Sequence, residues 1–443
     1  MERIAVVGAG LVGSLQAIYL ARRGYEVHVF ERRPDMRRVE MVGGRSINLA
    51  LSDRGWKALE GVGIADEIRS IAIPMHGRRM HDQAGNLTYQ PYGVDDQAIY
   101  SVSRGGLNQR LMVMADDYEN IHYYFERRCE DIDLDTNTLV MEDKDGNRES
   151  LTFDRIFGTD GAFSAVRGRL QKTDRFNYSQ TYLEHGYKEL VIPPNADGSH
   201  RIETNVLHIW PRGEYMMIAL PNLDGSFTCT LFFPFEGDPS FSSLDSDEKI
   251  MAFFQEQFPD AIPHMPTLLQ DYHENPSSSL VMIKCSPWNY GDKILLMGDA
   301  SHAIVPFYGQ GMNSGFEDCT VFEETMEQFN GDWSKVMPEF SKTRKPDADA
   351  ICELALRNYI EMRDLTADPE FLLRKKIEGR FFEKHPDKWI PLYSQVTFSH
   401  IPYSKALSEG VKQDEIMSRI MAIPNIEEKW DSEEIEKKIL ESV

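Results

Sequence analysis

Three glycines near the N-terminus, Gly8, Gly10 and Gly13, stand in G-x-G-x-x-G spacing. The apolar run Ile4 to Val7 precedes them and reads as a buried parallel strand. A helical stretch from Leu11 to about Arg23 follows them. In that setting each glycine has its own task. Gly8 permits a tight turn, Gly10 lets backbone amides approach a pyrophosphate, and Gly13 lets the helix pack close to the strand. The helix N-terminus adds positive partial charge where phosphates would lie. A second strand, Val27 to Phe30, ends on Glu31, whose carboxylate can accept hydrogen bonds from ribose hydroxyls. The glycine spacing alone is a weak signal and also fits a tight turn that binds nothing. With a strand before it, a helix after it and an acid closing the next strand, it predicts a bound dinucleotide.

Two later motifs could belong to the same site. Asp160-Gly161 closes a second apolar strand, and Gly298-Asp299 opens G-D-A-S-H-A-I-V-P-F-Y-G-Q-G-M-N, which runs to Asn313. Asp299 reads equally as a helix N-cap, and His302 as a core histidine. The turn Gly309 to Asn313 can present amides and a helix N-terminus to an anion. The stretch Gly43 to Gly55 reads either as a loop over a cofactor or as a plain connection.

The elements that must hold these residues follow from pattern. Asp53 to Ile68 is helix-like, and Pro74 to Gly93 reads as a hairpin turning at Asp82 to Asn86. Ser103 to Asp116 is a helix with Ser103 as N-cap. Ile121 to Asp135 reads as one strand, and Asp143 to Asn147 as a turn joining two more. Tyr187 to Phe235 reads as a meander of antiparallel strands. Lys293 to Asp318 returns to strand-and-helix alternation, and the chain is helical in period from Gly315 onward. The expected fold class is α/β: a discontinuous Rossmann-type domain, an inserted antiparallel sheet domain and a helical C-terminal region. The expected boundaries are 1–75, 97–175 and 281–340 for the dinucleotide domain, 76–96 for a substrate-side hairpin, 176–280 for the sheet domain and 341–443 for the helical region.

Composition narrows the function classes. The 443 residues are 41% hydrophobic and 27% charged, with a net charge of -23. That charge argues against nucleic acid or an anionic membrane as partner. Five cysteines without a C-x-x-C pair suggest neither a disulfide framework nor a zinc site, and point to the cytoplasm. The uncharged run Ile4 to Ala21 has the look of a signal sequence, but its dinucleotide spacing assigns it to a fold. The acidic end, Ile426 to Val443, reads as a helix or frayed tail rather than a membrane anchor. A homodimer is compatible with the sequence, and no metal cluster is expected.

Taken in order, G-A-G-L-V-G, Asp160-Gly161 and the Gly298 to Asn313 segment resemble the FAD-dependent aromatic hydroxylases of the para-hydroxybenzoate hydroxylase-like family. Further stretches narrow the resemblance to the branch of that family acting on L-kynurenine. They are G-R-S-I-N-L-A-L-S from Gly44, S-V-S-R-x-x-L-N from Ser101, L-H-I-W-P-R from Leu207, M-M-I-A-L-P-N from Met216, S-F-T-C-T-L-F from Ser226, N-Y-I-E-M-R from Asn358 and I-P-L-Y-S-Q-V-T-F from Ile390. The resemblance covers about nine tenths of the chain. It implies FAD as cofactor, NADPH and dioxygen as co-substrates, and ring hydroxylation of L-kynurenine to 3-hydroxykynurenine. On the FAD side it implies Gly8, Gly10, Leu11, Val12, Gly13, Glu31, Arg32, Ala50, Arg104, Cys129, Asp160, Asp299, Gly311, Met312 and Asn313. On the substrate side it implies Arg78 for the carboxylate, with Tyr92, Asn358 and Tyr393 completing an amino-acid clamp; Arg79 stands beside Arg78. The alternatives are a hydroxylase of the same fold for another aromatic, and a non-catalytic dinucleotide-fold protein that binds protein partners.

Overall fold

The computed structural model describes residues 1–38, 48–93, 97–362 and 368–443. The first part of the Gly43 to Gly55 stretch, and Arg363 of the N-Y-I-E-M-R motif, lie outside the described residues. The chain divides into two compact units. One contains Met1–Ile73, Tyr100–Glu184 and Ser278–Cys352; the other contains Pro74–Ile99, His185–Ser277 and Glu353–Val443.

The first unit is built on six strands: β1 (Arg3–Val7), β2 (Glu26–Glu31), β3 (Ile121–Phe125), β4 (Arg155–Gly158), β5 (Asn289–Tyr290) and β6 (Ile294–Leu296). Their order across the sheet is β5-β6-β4-β1-β2-β3. All pairs are parallel except β5 with β6. Parallel strands need cover on both faces, so the central strand β1 is apolar after Arg3. Ile4, Ala5 and Val6 accordingly have no exposed surface. Helix α1 (Leu11–Arg22) follows β1 directly. It can lie close because Gly13 lacks a side chain: a Cβ there would sit 1.9 Å from the Gly8 carbonyl oxygen. Gly8 itself holds φ +102, which a side chain would strain.

Helix α2 (Arg104–Ala115) is capped by the Ser103 hydroxyl, which accepts from the Gly106 amide. The expected single strand from Ile121 to Asp135 is two. Glu126 takes a positive φ of 56°, which ends β3. The chain then re-enters as Arg127–Asp133 in a three-stranded antiparallel sheet with Thr138–Asp143 and Arg148–Thr152. A left-handed residue redirects a strand without altering its alternation, so the pattern could not reveal the break. Helix α3 (Gly311–Gln328) closes the site-bearing part of this unit.

In the second unit the strands run in the order Asn177–Ile192, Phe227–Pro234, Met216–Pro221, Leu207–Pro211, Gly77–His81 and Leu87–Pro91. The expected meander is present and antiparallel, and the expected hairpin turns at Asp82 to Asn86. The hairpin joins the meander through one parallel pairing, Leu207–Ile209 on Arg78–Met80. The core on the sheet includes Leu190, Trp210, Met217, Phe233 and Phe254. Helices Pro369–Lys384, Tyr403–Met421 and Glu433–Leu440 form a separate cluster around Phe381, Trp389, Met417, Ile435 and Ile439. Among the described residues no helix is long and apolar enough to cross a membrane.

One buried residue of the first unit is at odds with its surroundings. Gln16, on α1, has no exposed surface, and neither its Oε1 nor its Nε2 finds a partner among the described residues. A buried amide with no hydrogen bond costs roughly 1–3 kcal/mol. Gln16→Met keeps the volume and removes that cost. It is expected to raise stability by about 1–2 kcal/mol, read as a higher urea midpoint with an unchanged slope. A lower midpoint would show that the amide is satisfied in solution.

Candidate active site

The dinucleotide end of the site is assembled around β1, α1 and β2. Gly10 is the N-cap of α1, in extended conformation at φ -75. Nothing in its backbone demands glycine, and among the described residues no atom beyond its own chain neighbours lies within 4 Å of where a Cβ would stand. The space beside it is left open by the protein, as a pyrophosphate passing the first turn of α1 requires. Leu11 and Val12 form that first turn, but the Val12 side chain is already spent on packing. A Cβ on Gly298 would lie 2.9 Å from it and one on Gly315 2.6 Å.

Glu31 is 4% exposed and accepts from the Ala9 amide at 3.1 Å and from Arg33 Nε at 2.8 Å. Burial opposes its ionisation, yet the bonds and charge of Arg33 outweigh it and hold the carboxyl below its ordinary range. It is therefore a fixed anionic acceptor. Arg32 beside it is exposed. Residues that pattern reading passed over complete this end. Asn108 Nδ2 donates to the Ala9 carbonyl at 3.0 Å, and Thr159 Oγ1 lies 2.9 Å from both the Val7 and Gly8 carbonyls. The N-cap-like S-R-x-x-L-N spacing was the only sequence signal for Asn108.

The second end is made by Asp160, Asp299 and the start of α3. Asp160 Oδ2 caps the helix Ala165–Leu170, accepting from the Ala165 amide at 2.7 Å and the Val166 amide at 3.3 Å. Its Oδ1 is buried and has no partner among the described residues. Burial raises its pKa. Cys129 stands near it, and burial with the Asp160 charge pushes that thiol up to about 12, so it acts as an apolar wall. Asp299 lies in the 3-10 turn Gly298–Ala300. Burial raises its pKa too, the Arg104 guanidinium counteracts this, and no hydrogen bond contributes.

Asn313 has no exposed surface, and its side chain is fully occupied. Oδ1 accepts from the Ser52 amide at 2.9 Å, and Nδ2 donates to the Ala50 and Gly309 carbonyls at 2.8 Å each. It clamps the strand Asn48–Leu51 to the Gly309 turn and leaves only its backbone for a ligand. The amides of Gly311, Met312 and Asn313 open α3, where no intrahelical acceptor exists for them. A Cβ on Gly311 would meet nothing within 4 Å. The unpartnered Asp160 Oδ1, the Asp299 carboxylate, first-turn amides and two glycines beside open space make one donor set. It fits FAD: acids for its hydroxyls, amides for its pyrophosphate, and a helix N-terminus for the anionic edge of its ring. Asp299→Ala is expected to weaken FAD retention by about 1.5–3 kcal/mol, roughly tenfold to a hundredfold. Fluorescence of released flavin on dilution measures it, and unchanged retention would remove Asp299 from the site.

In the second unit the structure brings Arg78, Tyr92 and Tyr393 together. The Arg78 guanidinium lies 4.6 Å from the Tyr393 ring centre and 5.4 Å from that of Tyr92, and the two rings stack at 5.3 Å. Arg78 Nε and the Tyr92 hydroxyl are covered from solvent, and neither makes a hydrogen bond among the described residues. Burial opposes the Arg78 charge, but the oxygens of Tyr393 and Tyr92 and the Glu361 carboxylate outweigh it. Arg79 points elsewhere: it pairs with Glu203 at 2.6 Å and lies over Tyr89. On the same strand His81 is held by Asp260 at 2.6 Å and His208 at 2.8 Å, which pins the strand bearing Arg78. Phe398, which pattern reading did not single out, packs edge-on against both tyrosines at 6.2 and 6.1 Å. Asn358 is 5% exposed near the end of the helix Trp333–Ile360, with Nδ2 3.2 Å from Met362 Sδ.

The fold is that of the FAD-dependent aromatic hydroxylases. The family model described as FAD binding domain matches residues 2–326. Solved structures share the fold: 2-methyl-3-hydroxypyridine-5-carboxylic acid oxygenase, with a TM-score of 0.67 at 20% identity over 83% of this chain and 94% of that one; and PqsL of Pseudomonas aeruginosa, a probable FAD-dependent monooxygenase, with 0.65 at 19% over 82% and 97%. Sequence relatives are more specific. The kynurenine 3-monooxygenase of Flavobacterium johnsoniae is 55% identical over 99% of this chain and 98% of its own length. That of Myxococcus xanthus is 49% identical over 95% and 90%, and that of Sus scrofa 45% over 94% and 88%. The chain belongs to the kynurenine 3-monooxygenase family.

Proposed function

We infer that the protein hydroxylates L-kynurenine to 3-hydroxykynurenine, consuming NADPH and dioxygen and releasing NADP⁺ and water. The observation that carries this reading is the Arg78 guanidinium packed beside two stacked tyrosines, with its Nε and the Tyr92 hydroxyl covered from solvent. Full-length identity to kynurenine 3-monooxygenases supports it. A free amino acid brings a carboxylate that loses its water on entering a covered site. A planar guanidinium replaces that water with two parallel hydrogen bonds.

When bound, FAD takes electrons from NADPH and activates dioxygen, so the protein's work is binding, orientation and water exclusion. Gly10 and the first turn of α1 hold the pyrophosphate, Glu31 the ribose, and Asp299 a hydroxyl. The α3 amides polarise the ring edge. Arg78 and Tyr92 grip the substrate carboxylate, and Tyr393 and Asn358 complete the clamp. The substrate takes part through its aniline nitrogen, which feeds electron density into the ortho carbon that gains the hydroxyl. We place the enzyme in the cytosol, a reading supported by its five free and buried cysteines.

Purified holoenzyme given NADPH and L-kynurenine is expected to oxidise NADPH faster and to form 3-hydroxykynurenine in equal amount. A phenolic acid lacking the amino-acid group is expected to do neither. NADPH oxidation without a hydroxylated product, or product from the phenolic acid alone, would move the protein to another branch of the same fold. The yellow cofactor is expected in the supernatant after acid precipitation, since binding is noncovalent.

A further inference from the structure

A chain of buried charges in the first unit has no place in the donor set described above. Arg54, with no exposed side-chain surface, pairs with Glu317. Glu317 Oε2 lies 2.8 Å from Arg344 Nη2. Arg344 Nε donates to Asp318 Oδ1 at 2.8 Å, and His302 Nε2 lies 2.6 Å from Asp318 Oδ2. The side chains of Arg344, Asp318 and His302 are 2%, 0% and 2% exposed. Burying ions costs desolvation that pairing often only repays, and apolar residues would join these helices as well. Stability is thus not a sufficient reason for the chain.

Its contacts with the backbone supply another. Asp318 Oδ2 accepts the Gly298 amide at 2.9 Å, immediately before Asp299. Arg344 Nη2 donates to the Ser314 carbonyl at 3.1 Å and its hydroxyl at 3.2 Å, immediately after Asn313. Gly298 sits at φ +59 with Val12 close against it, so the corner has no freedom on its other side. Burial opposes ionisation of Asp318, but His302 and Arg344 outweigh it and keep the carboxyl below its ordinary range. His302 Nε2 therefore donates to it, and His302 Nδ1 has no partner among the described residues. The polar function of the ring is spent on Asp318.

We propose that Asp318 is a positioning residue of the flavin site: with His302 and Arg344 it ties the Gly298-Asp299 corner and the first turn of α3 to one carboxylate, holding the Asp299 acceptor and the Gly311 to Asn313 amides at a fixed separation. The inference rests on FAD binding. A fixed helix N-terminus stabilises the reduced, anionic ring more than the oxidised one. Loosening it therefore weakens binding and lowers the midpoint potential, whereas a purely structural residue would change stability alone.

His302→Phe and Asp318→Asn test this in the holoenzyme. His302→Phe keeps the ring packed on Trp288, 5.2 Å away, and removes only the donor. The dissociation constant for FAD is expected to rise at least about tenfold in both. The midpoint potential is expected to fall by about 30 mV for each tenfold by which the reduced form loses more than the oxidised. The FAD-free His302→Phe protein is expected to melt below the unaltered one, because buried Asp318 loses a donor. The midpoint potential is therefore the deciding readout, and Arg344→Lys, which keeps charge but not the planar fork, is expected to shift it less. If Asp318→Asn does not fold, His302→Phe decides alone. Unaltered FAD affinity or an unaltered midpoint potential in folded His302→Phe overturns the proposal, however much apo-protein stability falls. Unaltered protein that binds no FAD overturns the cofactor reading itself, and this proposal with it.

Discussion

Arg78→Ala is expected to raise the KM for L-kynurenine by about 30-fold to several hundredfold, equivalent to about 2–4 kcal/mol of lost binding. The size follows from three features of the site. The guanidinium packs on the Tyr393 and Tyr92 rings, its Nε is covered, and the Tyr92 hydroxyl beside it is equally covered from solvent. A carboxylate entering such a place exchanges water for a charge-assisted fork, and alanine leaves it with neither. Arg78→Lys is expected to recover only part, because an ammonium cannot make two parallel bonds or pack flat beside the rings. FAD content is expected to stay unchanged in both, and the melting temperature of Arg78→Ala to fall modestly, because the guanidinium packs on both rings. Normal KM in Arg78→Ala would remove the clamp from this strand. Arg79 is not the fallback, because it is engaged with Glu203 and Tyr89.

Gly13→Ala and Gly10→Ala are expected to fail in opposite ways, although they lie three residues apart in one motif. At Gly13 the new Cβ would stand 1.9 Å from the Gly8 carbonyl oxygen and 2.5 Å from Thr159 Oγ1. The first is backbone, and the second is bonded to Val7 and Gly8, so neither yields cheaply. Helix α1 must lift off the sheet, at a cost of about 3 kcal/mol or more. The expected result is little soluble protein, with a large drop in melting temperature even without FAD. At Gly10 the methyl enters open space. The FAD-free protein is expected to melt normally and to emerge colourless from gel filtration, since we place the cofactor's pyrophosphate in that space. A yellow Gly10→Ala protein, or a Gly13→Ala protein of normal stability, would contradict the division of labour.

What the sequence by itself determined is local. The G-x-G-x-x-G turn, Glu31 at the end of its strand, the Ser103 cap and the Asp82 to Asn86 hairpin turn depend on residues within a few positions of one another. Their chemistry is visible in spacing. Alternation also placed Arg78 and Arg79 on opposite faces of one strand, but a period of two cannot say which face meets Tyr92 and Tyr393. Only the tertiary structure decided that. It also decided that the Asn313 side chain is a clamp on Ala50 and Ser52, and that the strand from Ile121 breaks at Glu126. The chain from Arg54 through Glu317, Arg344 and Asp318 to His302 joins residues as far apart as 290 positions in sequence, from positions 54 and 344. No periodicity links such residues. They meet because the helices Asp53–Gly61 and Trp333–Ile360 and the turn Gly298–Ala300 all pack on α3, and a buried charge left alone there would not be tolerated.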